Sequence, residues 1–253
     1  MGHRKGPKAV GSMQEIVSLV WGTIRWQSLA RWRQFLEQQR YHILRRQHRI
    51  SQLLELIDVT ARCEGIATMA LTGAALHAAG VYQAGERPMA DVDLLVRQSD
   101  QQAMPRSLES LEYSITTTDW RHHALMPRIQ SPHATVGEHA DNPIRIELHT
   151  RILEPLPMRA VDITSFLLPR ETHAGLNAYP CAAALMMHLL LHAAGNMRAR
   201  ALRQVQLHEI ARRCTHGSLL SRPAAQPTTA QRLEERYAVV GLKSSGTGAA
   251  IRQ

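Results

Sequence analysis

From Met13 to about Leu36, apolar residues recur as Ile16, Val17, Val20 and Ile24 and then as Leu29, Trp32 and Leu36. Steps of three and four place them on one helical face, so the pattern predicts a helix there. Residues 41–63 repeat it with Ile43, Leu44, Leu53, Leu54, Leu56 and Ile57, and Gly65 is placed to end this second helix. The period then changes. Ile66 to Leu71 is a short apolar run that meets Thr72-Gly73 and passes into an alanine-rich stretch ending at Gly80, which reads as strand, tight turn and helix. "DVDLLV" is the next strand, Ser99 with Gln102 forms a capping box for a helix over roughly 100–111, and "EYSITTT" is β-rich. In "IRIELH", Ile144, Ile146 and Leu148 alternate with Arg145, Glu147 and His149, as a half-buried strand requires. From Pro180, at a favourable first helical position, "PCAAALMMHLLLHAAG" predicts a helix, and "ARALRQVQLHEIARRC" a further one. Residues 216–253 carry Pro, Ser, Thr and Gly with little periodicity, so a poorly ordered tail is expected.

These elements define an α+β chain: a small mixed sheet flanked by N-terminal helices and a C-terminal helical region. The expected divisions are a flexible basic tail (1–12), N-terminal helices (13–64), a central core (65–155), a C-terminal helical region (156–215) and a disordered tail (216–253). Composition agrees, because 44% hydrophobic content supports a real core and 4% aromatic content makes that core mainly aliphatic. The formal charge of +9, almost all arginine among the basic residues, would attract phosphate-bearing partners. The arginines are spread along the chain without a recognition motif, so nucleic acid is a possible partner that no motif indicates. Cys63, Cys181 and Cys214 are odd in number and far apart, which suits neither a disulfide framework nor a zinc ribbon and fits a reducing cytoplasm. The basic N-terminus lacks the apolar core of a signal peptide. The longest apolar run, Cys181 to Gly195, is too short to span a bilayer, so no membrane role is expected.

Asp91 and Asp93 lie one residue apart inside an apolar run, and strand alternation resolves the conflict: both project to one face while Val92 and Leu94 pack into the core. Two carboxylates about 5–7 Å apart repel unless a cation sits between them, and hard divalent ions take oxygen ligands. An exposed edge strand with solvated acids is the competing reading of so short a pattern. Upstream, the Thr72-Gly73 turn is the sort of place that can receive a phosphate. Downstream, Glu147 lies on a half-exposed strand and can complete a carboxylate triad. His188 and His192 are four apart on a helix, a metal-compatible spacing, but their neighbours in sequence are apolar and they read as packed helical histidines. His149 shares the face of Glu147 and is either part of the site or a partner for Glu147. Arg87, just before the strand, is either a phosphate contact or an ordinary loop residue.

"LTGAAL", "GERPMADVDLLV", "IRIELHTRI" and "LLLHAAGNMRARALRQVQLHEIARR" together resemble the uncharacterised bacterial nucleotidyltransferases of the DNA polymerase β superfamily, over roughly residues 41–214. The resemblance implies the small mixed sheet of that superfamily, with Gly73 and Ala74 in the turn that positions a nucleoside triphosphate. Asp91, Asp93 and Glu147 would be the catalytic, metal-binding acids. It implies Mg²⁺ or Mn²⁺ as cofactor, an NTP as substrate, and transfer of the nucleoside monophosphate to a hydroxyl of a protein, RNA or small-molecule acceptor, pyrophosphate leaving. Ala74 stands where the superfamily often has serine, Thr72 where nearer relatives often have lysine, and the chain enters its low-information tail where relatives continue into further helices. A second reading of the same residues is a nucleotidyltransferase fold that binds or regulates without catalysis. A D-x-D glycosyltransferase ranks third, because only two helices and one strand precede the motif.

Overall fold

The structure, a computed structural model, describes residues 30–119, 122–129, 139–156, 158–198, 202 and 204–216. The tail expected at 1–12, residues 13–29 of the first expected helix and nearly all of the C-terminal tail lie outside the described residues. Helix α1 (Ala30–Cys63) is a single element of 34 residues. The two helices expected on either side of residues 37–40 are therefore continuous within the described residues, because Glu37, Gln38, Gln39 and Arg40 are all good helix formers and nothing there breaks the ladder. Gly65, at φ +69°, ends the helix as expected. Its N–H donates to Arg62 O at 3.1 Å and that of Ile66 to Ala61 O at 2.8 Å, the paired bonds of a Schellman motif.

Strand β1 (Ala67–Ala70) leads through Thr72 into α2 (Thr72–Ala78), as the sequence predicts. Strand β2 (Asp91–Val96) follows, then a 3₁₀ turn (Gln98–Asp100) and helix α3 (Ala103–Glu109). The capping box does not form: Ser99 lies inside the 3₁₀ turn and its hydroxyl bonds Asp100, so the helix begins later, with Gln102 at its cap and no side-chain cap bond. Strands β3 (Tyr113–Thr118), β4 (His122–Pro127) and β5 (Arg145–His149) complete one side of the sheet. A small hairpin, β6 (Leu153–Pro155) with β7 (Ala160–Asp162), and the short α4 (Thr164–Leu167) precede β8 (Gly175–Asn177). Helices α5 (Ala182–Arg198) and α6 (Gln204–His216) close the described chain. Pro180 sits two residues ahead of α5 rather than at its first position, since Cys181 O accepts the first helical bond from Leu185 N.

The sheet order is β3-β4-β5-β2-β1-β8. β2 and β5 run parallel side by side at its centre, and β1 is antiparallel to β2. The edge strand β8 pairs parallel with β1 although it comes from a segment expected to be helical. Buried side chains of α1 and α3, among them Ile50, Ile57, Met104 and Leu108, pack with Val92, Leu94, Ile146 and Leu148. Met69 and Leu95 pack with Ile163, Leu167 and Ala184 of the α4–α5 side. The central strands therefore carry apolar residues towards α1 and leave the alternate positions of β2 and β5 for polar groups. Arg46, buried in α1, donates to the carbonyls of Met89, Ala90, Asn142 and Pro143 at 2.7, 2.8, 2.6 and 3.1 Å, which ties together the lead-ins of β2 and β5. Among the described residues no helix is long and apolar enough to cross a membrane.

Candidate active site

Asp91 and Asp93 alternate with the buried Val92 and Leu94, so both stand on the same half-exposed face of β2, as the periodicity predicts. Glu147 is the register partner of Asp93 on the adjacent parallel strand. The three acids expected from separate stretches of chain are thus gathered on neighbouring strands. Burial, followed by the charges of Asp93 and Glu147, pushes the Asp91 carboxyl up to about 6, which is what crowded like charges do. For Asp93, burial works in the same direction, but hydrogen bonds from His149 and Thr72 outweigh it and hold the carboxyl below its ordinary value.

Asp93 and Glu147 are each held from behind. Thr72 Oγ1 donates to Asp93 Oδ2 at 3.0 Å, and His149 Nε2 lies 3.3 Å from Asp93 Oδ1. His149 pairs with Asp93 across the strands, not with Glu147 beside it in sequence. Glu147 instead meets Arg145 Nη2 at 2.9 Å and His122 Nε2 at 3.6 Å. Asp93, Glu147 and His149 each offer a ligand atom, and these atoms all lie within 4.8 Å of one another; Asp91 stands beside this trio rather than in it. Two carboxylates and an imidazole, with a third carboxylate alongside and hydrogen-bonded supports behind, suit a divalent cation.

Thr72 adopts φ +36°, a left-handed conformation that costs a β-branched residue about 1–3 kcal/mol. That conformation aims its hydroxyl at Asp93, and its N–H donates to Tyr179 Oη at 3.4 Å. Gly73 and Ala74 follow, both buried. A Cβ on Gly73 would lie 2.6 Å from Arg87 Nη1, so glycine at this position lets the guanidinium cross the turn. Arg87 in turn donates from Nε to Glu209 Oε1 at 2.7 Å, which anchors the turn to α6. Its role here is thus more than that of an ordinary loop residue.

The histidines of α5 are not surrounded by apolar groups alone. Tyr179 Oη lies 2.6 Å from His188 Nδ1, and Glu154 of β6 meets His188 Nε2 at 3.8 Å and His192 Nδ1 at 3.1 Å. Asn196 reaches His192 Nε2 at 3.1 Å. Burial, then the charge of His192, lowers His188 to about 4, while the hydrogen bond that His192 donates to Glu154 raises His192. Sequence spacing places these histidines on one helix but does not show Glu154 or Tyr179 beside them, because those contacts join different elements of the fold.

The mixed sheet carries an acid pair on one strand, a third acid on the next and a glycine turn at the end of the strand beside them, the arrangement that the resemblance to nucleotidyltransferases implies. A family model described as uncharacterised nucleotidyltransferase matches residues 9–238, and the chain belongs to that family. No curated protein matches the chain. Among solved structures, the solution structure of the antibiotic-resistance factor ANT(2'')-Ia is 13% identical with a TM-score of 0.40, over 76% of this chain and 91% of that one. A crystal structure of ANT(2'')-Ia in complex with adenylyl-2''-tobramycin is likewise 13% identical at a TM-score of 0.40, over 74% of this chain and 95% of that one.

Proposed function

We propose that this protein transfers a nucleoside monophosphate from an NTP to a hydroxyl of a protein, RNA or small-molecule acceptor in a reaction that depends on Mg²⁺ or Mn²⁺. The observation that carries the reading is the convergence of Asp91, Asp93 and Glu147 on adjacent strands, within a chain of the nucleotidyltransferase family. These three acids would hold the cation, whose charge offsets that of the triphosphate and of the reacting phosphorus. Thr72 and His149 keep Asp93 ionised and oriented. The turn at Gly73 and Ala74, held by Arg87 and Tyr179, presents the triphosphate to the acids. The acceptor oxygen attacks the α-phosphorus in line, its proton passes to a carboxylate of the cluster or to solvent, and the bond to pyrophosphate breaks.

The test uses NTPs labelled at the α-phosphate, incubated with the full chain and Mg²⁺ or Mn²⁺ in the presence of protein, RNA and small-molecule acceptors. Label passing to one acceptor class, blocked by EDTA and reduced at least about 100-fold in Asp93→Asn, supports the reading. Transfer that survives EDTA, or that Asp93→Asn performs as well as wild type, overturns it.

A further inference from the structure

We infer that His149 is itself a ligand to the cation, and that its nitrogen turns the site towards a first-row transition ion such as Mn²⁺ in preference to Mg²⁺. The inference rests on the metal-dependent reading above and adds to its three acids a donor of different chemistry. His149 and Glu147 are two residues apart on β5 and so share a face, and Glu147 is in register with Asp93. The His149 ring leans diagonally over that pair until Nε2 is 3.3 Å from Asp93 Oδ1. Adjacent ligands of an octahedral ion with bonds of about 2.1 Å are about 3 Å apart, so this nitrogen and oxygen already have nearly the spacing of two neighbouring coordination positions.

The surroundings favour the same atoms. Asp93 Oδ2 is engaged by the Thr72 hydroxyl, which leaves Oδ1, the oxygen facing His149, turned towards the ion. Glu147 Oε1 is engaged by Arg145, and Glu147 Oε2 by His122, whose Nδ1 lies 3.5 Å from Asp119 Oδ1. Hydrogen-bonded supports behind ligating carboxylates are the usual outer shell of a metal site. To ligate a cation, Nε2 would have to give up its proton to solvent or to Nδ1, leaving Nε2 and Asp93 Oδ1 as the two donors. Mg²⁺ prefers oxygen donors and sheds water reluctantly, whereas imidazole suits the later divalent ions, so exchanging one oxygen position for nitrogen shifts the preference towards the latter.

The experiment titrates the full-length protein with Mn²⁺ alone, follows free Mn²⁺ by electron paramagnetic resonance, and records spin-echo modulation of the bound ion, which reports a directly coordinated nitrogen. Wild type should bind Mn²⁺ with nitrogen modulation and with an affinity roughly tenfold or more above that for Mg²⁺ measured by competition. His149→Gln should lose the modulation. His149→Asp, which restores an oxygen donor, should bind without modulation and narrow the Mn²⁺/Mg²⁺ ratio, while His122→Gln should keep it. Bound Mn²⁺ without modulation in wild type, or modulation retained in His149→Asp, overturns the assignment of His149. If that Mn²⁺ is still lost in Asp93→Asn, the metal-dependent reading stands without it. Absence of Mn²⁺ binding to wild type sinks both.

Discussion

Thr72 combines two features that are rarely found together, a left-handed backbone in a β-branched residue and a hydroxyl bonded to a carboxylate of the site. Strain of this kind persists where surrounding contacts over-determine it. Thr72→Val keeps the shape and removes the hydroxyl, so nucleotidyl transfer should fall by about 10–100-fold while Thr72→Ser retains it, as read by initial rates of pyrophosphate release. Gly73 gives a test in which two effects oppose each other. Helix propensity alone predicts that Gly73→Ala gains up to about 1 kcal/mol. The added methyl would meet Arg87 Nη1 at 2.6 Å and Met89 Sδ at 3.3 Å, both far ends of flexible side chains that can shift while Arg87 Nε keeps its bond to Glu209, whose side chain is only 4% exposed. The crowding and the helix-propensity gain should then nearly cancel, so urea unfolding should show a net change within about 1 kcal/mol. At this scale the shared face of Asp91 and Asp93, and that of Glu147 and His149, is legible in the sequence because a period of two fixes it within each strand. The pairing of His149 with Asp93 is not, since register between strands decides it.

Among the elements, a clean period or a glycine boundary makes the segments around the site legible. The β1–turn–α2 unit, β2 and β5 each show either a glycine-bounded apolar run or strict alternation. Three-residue β8 offers too little pattern to recognise; its pairing with β1, the bond from Leu176 N to Asp58 Oδ1 at 2.7 Å and the burial of Leu176 hold it as a strand. The pattern predicts two helices in place of the long α1 because the apolar stripe thins over residues 37–40, where helix formers carry the ladder through. That helix does more than cover the sheet. Arg46 bonds four carbonyls in the segments that enter β2 and β5, and so helps set where Asp93 and Glu147 meet. Arg46→Met should lower stability by about 3 kcal/mol or more, because it removes the donor from the buried bonds to Met89 O and Pro143 O and from the part-buried ones to Ala90 O and Asn142 O. Arg46→Lys should rescue little of it, as one ammonium cannot span the guanidinium fork. Guanidinium chloride unfolding of the two variants checks both statements.

For the whole molecule, buried histidines couple folding to pH. His77 is lowered from 6.5 to about 4 by burial and then by the charge of Arg87, and His188 from 6.5 to about 4 by burial and then by His192. Between these values the unfolded chain binds more protons than the native one, so stability rises with pH through the window, is fully present above about 6.5 and is lost on acidification towards about 4. Asp91, pushed up to about 6, opposes the two histidines between its ordinary value and about 6, and His192, raised by Glu154, does so only above its unfolded value; the two histidines together outweigh the single carboxyl. Melting temperatures should therefore climb from pH 4 to 6.5, with a shallower climb in His77→Gln. The same chain of contacts that buries these groups binds α5 and α6 to the turn at Gly73, which makes the site a property of the assembled fold rather than of one motif. Glu147 reaches that site from a strand separated from Asp93 by more than fifty residues of chain. The most direct test of the account is therefore pyrophosphate release from NTP by wild type and by Glu147→Gln, with Mg²⁺ or Mn²⁺ supplied. The account predicts release by wild type and its loss, with folding intact, in Glu147→Gln; equal release by the two proteins would contradict it.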